Sequence, residues 1–305
     1  MPCLHVCGGH ARRQQCQVDA AIVCTPNQTL VPISKELLHA GKHFLCEKPI
    51  CADVASGHLH IECAEDSKWK LLTGHHRCFN RYPVAVKQHI LSLGRVIPTS
   101  GLWNIYNRLS YFGLPIEWRH LDSARPVFIN IIHEIDLLHY WYGPITRFLA
   151  EQTIFQRRFD AEEGAAIMLR FASGLAGTFL LSDAVVSQHN FGGGTGENPI
   201  IPCTRQDFHS LFGSEGSLSV SDMTRWDYGN GENSRNRELL EIMLEVPDLK
   251  IPFASPIELF MKVIKDEESA SCDGAEGLRA VVVCKAFKRS MKEHCPVEID
   301  WGGQY

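Results

Sequence analysis

Between residues 18 and 74 the chain alternates three short apolar runs with two helical stretches, and that rhythm leaves few folds open. VDAAIVC at 18–24 is continuously apolar after Asp19, as a strand covered on both faces requires. TPNQT then turns the chain, with Pro26 and Asn27 suited to open a helix. Leu30, Ile33, Leu37 and Leu38 recur at helical spacing, and Gly41 stands where a helix C-terminus favours glycine. HFLC at 43–46 reads as a second strand, residues 52–66 as a second helix and KLLTG at 70–74 as a third strand. Short connections between such units demand right-handed crossovers and a parallel sheet. Ligands of these sheets bind at the carboxyl ends of the strands. Here those ends are Thr25-Pro26-Asn27, Glu47-Lys48-Pro49 and His75-His76-Arg77. Lys48 is therefore expected to face a binding crevice.

From about residue 95 the rhythm changes. Segments 96–106, 145–156, 163–171, 175–186 and 208–221 read as strands, several joined by tight glycine turns such as Ser173-Gly174 and Glu215-Gly216. That pattern predicts a larger, mainly antiparallel open sheet. Two late helices are expected near 256–266 and 275–290, the second with Leu278, Val281, Val282 and Ala286 as its apolar stripe. The fold class is thus α/β: a Rossmann-like parallel sheet over residues 1–94, then an α/β domain over 95–305 with the terminal helices able to pack back on the first. NFGGGTGENP at 190–199 reads as a mobile loop.

INIIHEIDLLHYWYG at 129–143 carries the second chemical constellation. As a helix it places His133 and Asp136 three apart on one face, with Asn130 one turn before. A histidine and a carboxylate so placed can act as a base and its orienter. The same pattern also serves a histidine hydrogen-bonded inside a core. Tyr106 and Trp118, with Trp103, Tyr111 and Phe112, offer aromatic wall, although most of the five serve equally as core, and Arg119 and Asn130 join Tyr106 and Trp118 as substrate-side candidates.

The net charge of −5, with no run of Lys or Arg, excludes an electrostatic footprint for nucleic acid. No apolar run reaches the roughly 18 residues of a membrane span, and His10, Arg12 and Arg13 precede no apolar signal core. The expected location is the cytoplasm, where the 12 cysteines stay reduced. Cys3, Cys7, His10 and Cys16 look like metal ligands but match no standard zinc spacing, so no metal is expected. His133, Asp136 and His139 lack an evident fourth ligand.

Taken in order, VDAAIVCTPN, LLHAGKHFLCEKPI, HHRCFNRY, EWR at 117–119, INIIHEIDLLHYWYG, EEGAAIMLRFASGLAG, FGSEGSLSV and GLRAVVVCKAFKRSM resemble the glucose–fructose oxidoreductase / inositol dehydrogenase (Gfo/Idh/MocA) family. The likeness runs from about residue 18 to 298. It implies an NAD or NADP cofactor on the first domain, with Thr25, Pro26, Asn27, Glu47, Lys48 and His76 beside it. It implies Lys48 next to the nicotinamide and the reacting hydroxyl, and His133 as the acid/base that takes the hydroxyl proton. It also implies a small-molecule substrate and a homodimer or higher homo-oligomer formed through the second sheet.

Two features depart from that pattern. Ile129 stands where the family commonly carries a carboxylate four residues before the histidine, which leaves Asp136 to orient His133. Only MPCLHVCGGHARRQQCQ precedes Val18, and it holds no G-x-G-x-x-G turn of the kind that grips a pyrophosphate. The expectation is a first Rossmann half largely missing and an apolar strand edge at 18–24, covered by residues 2–7 or by another chain. Three functions compete on these grounds. The first is an oxidoreductase acting on a hydroxyl or carbonyl group. The second is a cofactor-independent acid/base catalyst of isomerase, lyase or cyclase type in the same cleft. The third is a non-catalytic binding subunit or scaffold.

Overall fold

The structure is a computed structural model that describes residues 18–114, 119, 126–157, 159, 161–230, 232–249 and 252–302. It falls into two units, one of residues 18–74 with Ile257–Leu278, the other of residues 75–256 and 279–302.

In the first unit, β1 (Ala20–Val23), α1 (Asn27–His39), β2 (His43–Cys46), α2 (Val54–Glu65) and β3 (Leu71–Thr73) follow one another as the periodicity predicts. The three strands pair in parallel in the order β1-β2-β3. Helix α1 buries Leu30, Ile33, Leu37 and Leu38, the stripe read from the sequence. Asp53 caps α2 by accepting from the Ser56 amide at 2.9 Å. Among the described residues β1 is an edge strand, and Ile22 on it is 41% exposed. The strand expected at residues 2–7 lies outside the described residues.

The second unit opens with a single 3-10 turn, Arg77–Phe79, and α3 (Arg81–His89). β4 (Val96–Asn104) leads to a π-helical turn, Val127–Ile131, that runs into α4 (Ile132–Tyr142). β5 (Ile145–Gln152), β6 (Gly164–Phe171), β7 (Ala176–Ser182), α5 (Phe191–Thr195), β8 (His209–Gly213), β9 (Ser217–Val220), β10 (Thr224–Asp227) and β11 (Leu240–Met243) follow. The chain closes with α6 (Ala254–Ile264), α7 (Gly274–Glu293) and β12 (Val297–Glu298). Nine strands form one sheet in the order β11-β10-β9-β8-β4-β7-β6-β5-β12. Among the described residues only β4 and β7 of this sheet pair in parallel, so it is mainly antiparallel, as expected. Along β6 buried and exposed residues alternate, with Ala165, Ile167, Leu169 and Phe171 inward and Met168 and Arg170 outward. No helix among the described residues is long and apolar enough to cross a membrane.

The glycine-rich stretch corrects the sequence reading. Instead of a mobile loop, Phe191–Thr195 forms one helical turn whose N-cap, Asn190, accepts from the Gly193 amide at 2.8 Å. Phe191 is buried against Phe208, ring centroids 5.1 Å apart, and anchors the turn. The glycines signalled freedom, but one aromatic anchor and one cap outweigh their entropy.

The packed face of the sheet leaves little spare volume. Gly101 on β4 lies opposite Phe179 and His209, and a Cβ there would come within 2.4 Å of the Phe179 ring and 2.6 Å of His209. Trp141 of α4 covers the same spot, 5.1 Å from the His209 ring. Burial holds the His209 imidazole at about 3, so it stays neutral. Gly101→Ala is expected to destabilise the second unit by about 1–3 kcal/mol through overpacking. Urea denaturation followed by tryptophan fluorescence checks this, and an unshifted midpoint would contradict the packing described.

Candidate active site

In the first unit the residues expected at the strand ends are where the parallel-sheet argument put them. Thr25, Pro26 and Asn27 follow β1 and open α1, with Pro26 as its N-cap. The Thr25 hydroxyl is buried and has no hydrogen-bond partner among the described residues. Glu47, Lys48 and Pro49 follow β2 through a cis Lys48–Pro49 bond. The Glu47 amide donates to Val23 O at 2.9 Å and the Gly74 amide to Cys46 O at 2.8 Å, which locks the three strand ends together. Gly74 sits so close that a Cβ there would lie 3.0 Å from Glu47 Oε1.

The second unit gathers a denser cluster. His75, His76 and Arg77 lie at its start, and α4 brings His133, Glu134 and Asp136 to them. The His76 and His133 rings meet edge to face with centroids 5.0 Å apart, and the His75 and His133 rings at 6.3 Å. Asp136 Oδ2 lies 3.8 Å from His75 Nδ1, and its side chain is only 14% exposed. Arg77 Nη1 donates to Glu134 Oε1 in a buried ion pair, and its guanidinium lies 4.2 Å from the Phe191 ring centroid. Glu197, two residues beyond Thr195, accepts from His76 Nε2 at 2.9 Å and from Asn80 Nδ2 at 2.6 Å. Phe253 stacks on His76 at 4.5 Å.

Burial and charge sort these carboxyls. Burial pushes Asp136 up to about 7, against the pull of His76 and Arg77. Burial also pushes Glu134 up, and Arg77 draws it part of the way back. Glu197 goes the other way: burial raises it, but the His76 bond, the His76 and Arg77 charges and the Asn80 bond together hold it below the usual range. One buried acid is thus poised to exchange a proton near neutrality while its neighbour stays an anion, a division common to acid/base sites.

Of the other sequence candidates, Asn130 lies in the π-helical turn before α4, its amide donating to Pro126 O at 2.8 Å. Tyr106 is 51% exposed and bridges to Ala184. Arg119 lies 4.2 Å over the Tyr111 ring. Trp118 and the cluster Cys3, Cys7, His10 and Cys16 lie outside the described residues. His139 accepts from the Ile145 amide through Nε2 at 3.5 Å, and burial lowers it to about 3. No group of three or more His, Cys, Asp or Glu able to hold a metal occurs among the described residues. Sequence reasoning missed Asn80, Glu134 and Glu197. Glu134 and Asn80 were at hand in the quoted motifs, but Glu197 follows a glycine run with no periodicity to mark it.

Comparison with known proteins agrees with this architecture. Residues 87–299 match the family profile described as the oxidoreductase family, C-terminal alpha/beta domain. Residues 10–75 match the oxidoreductase family, NAD-binding Rossmann fold. The chain belongs to the Gfo/Idh/MocA oxidoreductase family. It is 23% identical to inositol 2-dehydrogenase of Rhizobium meliloti (strain 1021) over 291 residues, 92% of this chain and 81% of the relative. Its fold resembles the WlbA dehydrogenase of Bordetella pertussis, solved with NADH and UDP-GlcNAcA: TM-score 0.74, 18% identity, 95% of this chain and 82% of that one. It also resembles an Agrobacterium radiobacter oxidoreductase solved with NAD+, L-tartaric acid and magnesium: TM-score 0.76, 13% identity, 93% and 81% covered.

A nicotinamide dinucleotide fits the described residues in part. The Thr25 hydroxyl, buried at a parallel-sheet strand end and without a hydrogen-bond partner among the described residues, is a group that such a cofactor would satisfy. The sequence contains no G-x-G-x-x-G for the pyrophosphate.

The raised Asp136 carboxyl has a signed consequence. Its folded value lies above the ordinary 3.8, so the anion is disfavoured by folding, and stability falls as pH rises from about 4 to about 7. Asp136→Asn should therefore be more stable than the parent near pH 8, by about 2–4 kcal/mol at most, and equal to it near pH 4. Denaturant midpoints at the two pH values check the sign.

Proposed function

We propose that the chain is a nicotinamide-dependent oxidoreductase acting on a hydroxyl or carbonyl carbon of a polar, hydroxylated small molecule. The observation that carries this reading is the His76–His133–Asp136 cluster, two histidines and an acid that titrates near neutrality beside a buried carboxylate. Oxidising an alcohol needs a group to take the hydroxyl proton, and imidazole suits that transfer near neutral pH. His133 takes the proton from the substrate oxygen, and Asp136 balances the charge that the ring acquires. NAD or NADP, when bound, supplies the hydride acceptor, with Thr25, Asn27, Glu47 and Lys48 as the residues that would hold it. Lys48 enters on the family likeness of its Glu-Lys-Pro turn, as the ammonium that polarises the reacting oxygen. The named ligands of the relatives, inositol, a sugar nucleotide and tartrate, share several hydroxyl or carboxylate groups and support the substrate class.

A cofactor-free proton transfer is the second reading, since His133 and an Asp136 carboxyl pushed up to about 7 would serve it by themselves. A second copy of the chain is proposed against the outer side of the nine-stranded sheet, where Met168, Leu180 and Met243 are exposed.

Calorimetric titration of the 305-residue protein with NADH and with NADPH separates the two readings. Micromolar binding is expected, and no binding at millimolar cofactor would overturn the redox reading. Lys48→Ala and His133→Ala are each expected to lower kcat by about a hundredfold or more with the circular dichroism spectrum unchanged. Unaltered turnover in both would remove these residues from the mechanism.

A further inference from the structure

The glycine-rich segment delivers Glu197 to a histidine, and the bond between them leaves the two ring nitrogens in different situations. His76 Nε2 donates to Glu197 Oε1 at 2.9 Å, while Nδ1 makes no hydrogen bond among the described residues. The ring cannot swing away easily. Phe253 stacks on one side at 4.5 Å, and His133 meets it edge-on at 5.0 Å. Glu197 is itself held: Asn80 Nδ2 donates to its second oxygen at 2.6 Å, its side chain is 6% exposed, and its amide donates to Thr195 Oγ1 at 3.2 Å. A neutral imidazole has one N–H and one bare nitrogen, and a carboxylate hydrogen-bonded to one of them decides which.

We propose that Glu197 is a positioning residue that commits the His76 N–H to Nε2, so that Nδ1 becomes a fixed acceptor for a hydroxyl of the substrate. The carboxylate is kept below the ordinary range chiefly by His76 itself and by Arg77 and Asn80, against the effect of burial, so it stays an acceptor throughout the neutral range. This inference rests on the reading of the substrate as a hydroxylated small molecule. It adds a recognition point distinct from the proton transfer assigned to His133. An Nδ1 acceptor discriminates in a way an apolar wall does not, because a substrate lacking the matching hydroxyl forgoes that hydrogen bond.

Two substitutions divide the ring between them. His76→Gln can keep the bond to Glu197 but removes the group at Nδ1, whereas His76→Asn keeps a polar atom near Nδ1 and gives up Glu197. Nitrogen NMR of 15N-histidine-labelled protein near pH 8 reads the tautomer directly, with no need of turnover. The groups facing His76 are His133 and Asp136 of α4, His75, Arg77, Asn80 and Glu197, so the spectrum is taken well above the neutral range where Asp136 titrates.

The expected result is a proton on His76 Nε2 in the parent and in Glu197→Gln, and a mixture of tautomers in Glu197→Ala. Myo-inositol, used as the hydroxylated probe, should shift the Nδ1 resonance of the parent. In His76→Gln its dissociation constant should rise about five- to tenfold, the worth of one hydrogen bond. A proton on Nδ1 in the parent, an unchanged tautomer in Glu197→Ala, or an Nδ1 indifferent to myo-inositol would overturn the proposal. Failure of the oxidoreductase reading alone looks different: tautomer and probe shift as expected, with no hydride transfer to or from NAD or NADP.

Discussion

The buried pair of Arg77 and Glu134 is the contact on which the candidate site depends. Arg77 sits in the 3-10 turn that opens the second unit, and Glu134 in the first turn of α4. Both side chains are almost wholly removed from water. Taking two charges out of water is costly, and their attraction repays that cost only when both are present. The guanidinium also lies over Phe191, the anchor of the glycine-rich helical turn. One side chain therefore ties three pieces of chain, and all three deliver chemistry: His76 from the first, His133 and Asp136 from the second, Glu197 from the third.

That arrangement gives neighbouring acids opposite characters. Asp136 lies on the same helix as Glu134, yet burial outweighs the charges of His76 and Arg77 near it. Glu197 is nearly as buried but accepts two hydrogen bonds from side chains, so it remains an anion. The difference lies in the number of donors each finds, not in the kind of residue. His76, bonded to Glu197 and within the field of Asp136, is oriented by one acid and feels the charge of the other.

Much of this was legible beforehand. The parallel strands and the residues at their carboxyl ends follow from apolar runs of strand length separated by helical spacing. The helix bearing His133 and Asp136 was equally visible, although it begins as a π-helical turn that spacing cannot foresee. Glu197 was not legible, nor was the order in NFGGGTGENP. Glycine reports what the backbone is free to do, and only the burial of Phe191 and the Asn190 cap decide what it does. Three-residue spacing puts His133 and Asp136 on one side of a helix, but it could not show that Asp136 Oδ2 also lies 3.8 Å from His75 Nδ1, fifty-eight positions before His133.

By itself, then, the sequence determined the periodicities: which runs form strands, which form helices, and so the α/β class and the positions of Lys48, His76 and His133 on their elements. These are short-range properties, fixed by side-chain spacing along a few residues. What only the tertiary structure decided is which charges meet. The meeting of Arg77 with Glu134 and of His76 with Glu197 spans 57 and 121 residues of chain. No local pattern encodes such separations, because they are set by how packed elements exclude water from the groups between them.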